Sequence, residues 1–262
     1  MKINDIRELP VRKNNLLIQK ARYKLTAKQF DIITHIIAKV KPDDAQGTLY
    51  QFSIVEFCKV CGIEKNGKEY ETVKRELQRL ADKSVYVPMD DGKEHLTRWF
   101  DEVMIDRGNG VIEVSFHKSM WKYVYDVRKC FTQYPADCSY ALNSRYSKYI
   151  YDFCKSYEGL GTITVSIDEF SKYDCPNEYA EFKSLKQKVL EVAVKEINAI
   201  TDIVIAYEPL KIKSRKYTHL CFTIRRDNSP KQNGKRAHRQ VSLMTNEEKE
   251  DLNAENWRGK WG

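Results

Sequence analysis

The sequence predicts an α+β chain made of two tandem copies of one small unit, related by internal duplication. Three observations carry this. Ser53-Ile54-Val55-Glu56-Phe57 returns 113 positions later as Ser166-Ile167-Asp168-Glu169-Phe170. Upstream of each lies a helix start, Leu25-Thr26-Ala27-Lys28 in one copy and Leu142-Asn143-Ser144-Arg145 in the other. Downstream of each lies an amphipathic helical stretch, then β-rich sequence punctuated by turn residues.

In chain order, Thr26 and Asn143 are the expected N-caps of the first helices. The first opens Phe30, Ile32, Ile33, Ile36, Ile37 and Val40, and the second opens Tyr146, Tyr149, Ile150 and Phe153, both at helical spacing. Each Ser-Ile-x-Glu-Phe box then ends a short strand and starts a second helix. Its Ser accepts from the backbone N–H three residues on, and its Glu is placed to bond back to the Ser N–H. The third helices run roughly over 69–82 and 178–198. Val73, Leu77, Leu80 and Ala81 share a face in one; Phe182, Leu185, Val189, Val192, Ala193 and Ile197 share a face in the other.

Strands follow over 85–87, 96–105 and 111–116 in the first copy, with turns at Asp90-Asp91-Gly92 and Gly108-Asn109-Gly110. In the second copy they follow over 202–207 and 217–224. Helix, short strand, helix, helix and hairpin is the order of a winged helix-turn-helix. Two such domains fit the length of the chain, each able to bury a core. The boundaries expected are a flexible arm at 1–13, a first domain at 14–128, a second at 129–226 and a polar, disordered tail at 227–262.

The 45 Lys+Arg against 37 Asp+Glu leave a net charge of +8, which favours an anionic partner. No apolar run approaches the length of a membrane span, and no apolar signal region opens the chain, so a cytoplasmic location and no membrane partner are expected. The seven cysteines are scattered and suggest a reducing compartment. Cys58 and Cys61 form a CxxC pair, but four ligands make a structural zinc site and nothing nearby supplies the rest, so packing is expected and no metal.

A recognition helix buries one face and offers the other to a DNA groove. Lys74, Arg75, Gln78 and Arg79 project from the apolar stripe of the first third helix. Lys183, Ser184, Gln187 and Lys188 do so in the second. Arg, Lys and Gln can donate to guanine or pair with adenine edges. Lys211, Lys213, Arg215 and Lys216 crowd the turn between Tyr207 and Tyr217, where a wing tip would neutralise phosphates. Arg7, Arg12 and Lys13 of the arm are also placed for phosphates.

The series Val189-Leu190-Glu191, Lys195-Glu196-Ile197-Asn198 and Thr201-Asp202-Ile203 is followed by Tyr207-Glu208-Pro209, Lys211, Arg215-Lys216 and Phe222-Thr223-Ile224. It resembles the C-terminal winged helix of iteron-binding plasmid replication initiators, the Rep_3 family. Asn15-Leu16-Leu17-Ile18 and Tyr23-Lys24-Leu25-Thr26 resemble that family's opening segment, so the likeness covers most of 14–226. The resemblance implies two winged helices that bind direct repeats in double-stranded origin DNA, help to open it, and recruit the host initiator and replicative helicase. It also implies a monomer–dimer equilibrium in which dimers repress their own gene. Base reading falls to Lys183, Ser184, Gln187 and Lys188. Backbone contacts fall to Lys74, Arg75, Gln78 and Arg79, on the domain that carries the dimer surface. One departure is Ser214, where the family has Gly before the Arg-Lys pair of the wing; Ser tolerates a left-handed turn less well.

No catalytic residues or cofactor are expected. A nickase would pair a nucleophilic Tyr with a His-x-His metal site, and His35, His95, His117, His219 and His238 form no such pair. Phosphate-loop and Gly-x-Ser-x-Gly motifs are absent. The alternatives are a winged-helix transcriptional regulator without a replication role and an adaptor that binds protein. In the tail, a basic stretch with Lys231, Lys235, Arg236 and Arg239 precedes an acidic one, and Trp257 and Trp261 are candidate partner anchors.

Overall fold

The computed structural model describes residues 7–63, 67–89, 91–106, 108–125, 130–168 and 182–229. Residues 230–262 of the predicted tail, with Trp257 and Trp261, lie outside them, as do Glu169 and Phe170 of the second box. The first unit runs α2 (Ala27–Ile37), β2 (Tyr50–Ser53), α3 (Ile54–Cys61), α4 (Gly67–Ala81), the hairpin β3 (Ser84–Pro88) and β4 (Glu94–Arg98), then β5 (Phe100–Asp106) and β6 (Val111–Phe116). Before it lie β1 (Pro10–Asn14) and α1 (Asn15–Gln19). The second unit runs α7 (Arg145–Ser156), β8 (Thr162–Ser166), a helical stretch from Phe182 to Ile200, and the wing strands β9 (Ile203–Leu210) and β10 (His219–Arg226). Between them stand α5 (Trp121–Val124), β7 (Phe131–Pro135) and α6 (Ala136–Ala141).

The sheets repeat. In each unit the short strand after the first helix pairs antiparallel with the last wing strand, giving orders β2-β6-β5 and β8-β10-β9. The residue after each capping serine is tied to its wing in the same way. Ile54 N–H donates to the Gly110 carbonyl and Ile167 N–H to the Thr218 carbonyl, both at 2.9 Å. The recurring Ser-Ile dipeptide thus marks one structural position twice.

Several expectations change. Ser53 Oγ does accept from Glu56 N–H at 3.0 Å, but the Glu56 carboxylate turns inward, 2.8 Å from Lys39 Nζ and 3.4 Å from His35 Nε2. The reciprocal capping box forms instead at Thr26 and Gln29. The N-cap of α7 is Ser144, one residue later than the expected Asn143, because its Oγ accepts from Tyr146 N–H at 3.2 Å. The stretch 96–105 is two strands rather than one. Pairing shifts register between Phe100 and Glu102, and the buried Trp99 turns the chain from β4, paired with β3, into β5, paired with β6.

Part of the predicted flexible arm is ordered structure. Pro10–Asn14 is strand β1, paired antiparallel with β7, and Val11 and Lys13 are buried. Arg7 Nε donates to the Val60 carbonyl at 2.7 Å and Arg12 Nε to Gln133 Oε1 at 2.7 Å. Lys13 is paired with Asp152 and is not available to a phosphate.

The helix α7 closes both cores. Three of its charged residues, Lys148, Asp152 and Lys155, are buried, and each meets a different element. Lys148 reaches Asp31 of α2 at 2.6 Å, Asp152 reaches Lys13 of β1 at 2.6 Å, and Lys155 reaches Asp202 before β9 at 2.6 Å. Buried charges are tolerated only when paired in this way. Cys58 is buried and Cys61 half-buried in α3, and burial pushes the Cys61 thiol well up. Among the described residues no helix is long and apolar enough to cross a membrane.

Candidate nucleic-acid interface

In the first unit, Val73, Leu77 and Leu80 anchor α4 with no exposed surface. Fully burying each is worth roughly 1.5–3 kcal/mol. Glu76 is also buried, accepting from Thr26 Oγ1 at 2.9 Å, and it draws Arg79 to 3.1 Å. Arg75, Gln78 and Arg79 are exposed, whereas Lys74 is half-buried beside Glu71 at 3.4 Å. The turn of this wing is held by the Asp106 carboxylate, which accepts from the Gly108 and Asn109 N–H groups at 2.8 and 3.2 Å.

In the second unit, Leu185, Val189, Leu190, Ala193 and Ile197 are the buried face. Val192, expected on that face, is exposed, and Leu190 takes its place. Lys183, Gln187 and Lys188 are exposed and Ser184 is half-buried. The end of the helix is fastened to β9 by Asn198, whose side chain accepts from Ile205 N–H at 2.7 Å and donates to the Ile205 carbonyl at 2.9 Å.

The wing tip is exposed from Lys211 to Tyr217. Lys211 Nζ lies 5.0 Å from the centre of the Tyr217 ring, and that ring packs on Phe182 at 4.8 Å. The left-handed residue of the turn is Lys213, with φ 50°, rather than Ser214. Ser214 closes the turn with its side chain, accepting from Lys216 N–H at 3.1 Å. The left-handed conformation thus falls on Lys213, and Ser214 supplies a turn-closing acceptor. Helix and wing enclose an open cleft of about 790 Å³, lined among others by Phe182, Lys183, Lys186, Lys195 and Tyr217.

Of the sequence-derived candidates, the structure brings Lys183 to the cleft and Lys211 onto Tyr217 at its edge. The four α4 residues belong to the other unit. Lys186 and Lys195 were not candidates. Both are cations on the cleft side, visible only once the wing's side of the helix is known. The surface is concave and floored by aromatic rings, and its three lysines outnumber Glu191, which lies 3.6 Å from Lys186; a net positive cleft suits a phosphodiester backbone.

Two family models match the chain. One, described as the WH1 domain of initiator replication proteins, covers residues 10–155, more than half of the sequence. The other, described as the WH2 domain of initiator Rep proteins, covers 166–224. The chain belongs to the replication initiator family. Among solved structures, the initiator resembles the Pi initiator protein crystallised in complex with iteron DNA. The TM-score is 0.69 at 17% identity, over 85% of this chain and 99% of that one, which fixes the fold as two winged helices. Domains 2 and 3 of RctB give 0.48 at 10% identity, over 77% and 81% of the two chains. The family match agrees with the initiator reading of the sequence and does not favour the regulator alternative.

Proposed function

We propose that this initiator binds short direct repeats in duplex DNA at a plasmid origin, reads them through the second unit and helps open the duplex there. The observation that carries the reading is the pairing of the exposed Lys183, Gln187 and Lys188 face with the cationic wing, within a unit matched by the family's second winged helix. The Pi initiator, of the same fold, was crystallised on iteron DNA. The first unit contributes backbone contacts from Arg75, Gln78 and Arg79. It also carries self-association, for which the exposed cross-strand pair Tyr86 and Leu96 offers an apolar surface. Recruitment of the host initiator and helicase, and repression of its own gene by the dimer, complete the reading. The role is that of a binding protein without catalysis, acting in the cytoplasm.

The deciding experiment measures binding of the full chain to its origin repeats and to scrambled duplexes across a salt series. Affinity for the repeats should exceed that for scrambled DNA and fall steeply as salt rises. Equal affinity for both at every salt concentration would end the reading. A plasmid carrying the origin but lacking this gene should fail to replicate until the gene is supplied in trans.

A further inference from the structure

The recognition helix of the second unit is not one regular α-helix. Helix α8 (Phe182–Leu185) and helix α9 (Glu191–Ile200) are joined by a π turn, Lys186–Leu190, with the Glu191 N–H bonded to the Lys186 carbonyl. The sequence accounts for this turn. The core-facing residues form two stripes, Phe182-Leu185-Val189 and Leu190-Ala193-Ile197. Each has the three-then-four spacing of an α-helix. The stripes are offset by one residue, so a continuous α-helix would spread them over an arc of about 140° rather than about 80°. A π turn absorbs the extra residue, and Leu185, Val189, Leu190, Ala193 and Ile197 are all buried.

The first unit provides the comparison within the same chain. Tyr70, Val73, Leu77 and Leu80 run in unbroken spacing, and α4 is α-helical throughout. Tyr70 corresponds to Phe182, since each aromatic at the helix start meets its wing. A Cβ on Gly110 would stand 3.1 Å from the Tyr70 ring, and Phe182 packs on Tyr217. The two helices thus share an entry point and differ by one inserted residue. The insertion lies beside the candidate reading residues of the second unit: Gln187 and Lys188 are inside the turn, and Lys183 and the half-buried Ser184 lie in the helical turn before it.

We infer that the π turn is a specificity element, setting the angle at which Lys183, Ser184, Gln187 and Lys188 enter the groove relative to a C-terminal half fixed by Asn198. This rests on the base-reading role proposed for the second unit. One residue of α-helix corresponds to about 100° of rotation, so the presence of the insertion decides which side chains meet base edges and which meet backbone.

The test is competition binding by the full chain against duplexes varied one base pair at a time. Lys186→Ala keeps the turn, and should weaken every duplex alike while leaving the ranking of bases intact. Deleting Lys186 places Phe182, Leu185, Leu190, Ala193 and Ile197 on one uninterrupted α-helical face. Relative to Lys186→Ala, the deletion should change preference at one or two positions by about tenfold, with affinity for unrelated duplex kept within twofold. A folded deletion variant with the same ranking of bases overturns the inference. If that variant does not fold, deletion of Val189 restores the same spacing; failure of both to fold assigns the turn to stability and likewise overturns it. A native chain with no base preference at all would instead remove the base-reading proposal.

Discussion

Lys13 Nζ of β1 lies 2.6 Å from Asp152 Oδ2 of α7, with both side chains almost wholly buried and 139 positions apart in the chain. The ammonium also lies 5.6 Å from the ring centres of Phe30 and Tyr134. Removing the carboxylate leaves a buried ammonium without its counter-charge. Asp152→Ala should therefore cost about 3–5 kcal/mol, while the double change Lys13→Met with Asp152→Leu should recover most of it. Urea unfolding of the three proteins decides the matter. A double variant as unstable as the single one would show that the pair contributes through its shape and not through its charges.

Asp31 faces Lys148 at 2.6 Å, yet burial raises its carboxyl from 3.8 to about 6, outweighing the attraction of Lys148. An acid whose folded value is raised contributes stability that is present in full below its unfolded value and lost as pH rises through the folded one. The loss falls between about pH 4 and 6 and amounts to at most about 3 kcal/mol. Asp31→Asn mimics the protonated acid. Leaving Lys148 beside an amide sets a baseline cost, and against that baseline the native protein should lose stability relative to the variant between about pH 4 and 6. Unfolding midpoints at unit steps of pH measure the gap, and a gap that stays constant across them refutes the assignment.

Gln187 is exposed within the π turn of the helical stretch that precedes the wing of the second unit. Gln187→Ala should lose about 1–3 kcal/mol of discrimination at one or two base positions. Non-specific affinity should hardly move. Selection from randomised duplexes with native and variant proteins reads this directly, and an unchanged selected sequence would remove Gln187 from the reading set.

Lys213 carries the left-handed turn of the wing with φ 50°. Glycine is at ease there, so Lys213→Gly removes the charge without straining the backbone. Every duplex should be bound more weakly by a similar factor, and the slope of log affinity against log salt should shrink by about one. Altered base preference in this variant would contradict a phosphate role.

Features set by neighbours in sequence were legible before the structure. The Thr26 helix start, the Ser53 cap, the buried faces of α2 and α4, and the wing's cations all follow from spacing and local chemistry. What escaped depends on distant partners. Lys13 read as a phosphate contact because the carboxylate that buries it lies 139 positions away. Trp99 splits a strand because two different sheets claim its flanks. The π turn was written in the sequence as an offset between two apolar stripes, but merging them into one stripe put Val192 inside and hid it. Lys186 and Lys195 became visible as cleft residues only when the wing was in place.

The position of α7 carries a consequence for anyone joining halves of two related initiators. A junction near 128 separates Lys13 and Asp31 from Asp152 and Lys148. A junction near 160 separates Tyr151 and Lys155 from Asp202, which they contact at 2.8 and 2.6 Å. No crossover between the two units leaves every buried charge with its native partner. Working hybrids should come from parents whose acids and lysines match across this helix, so charge complementarity there limits which halves can be exchanged.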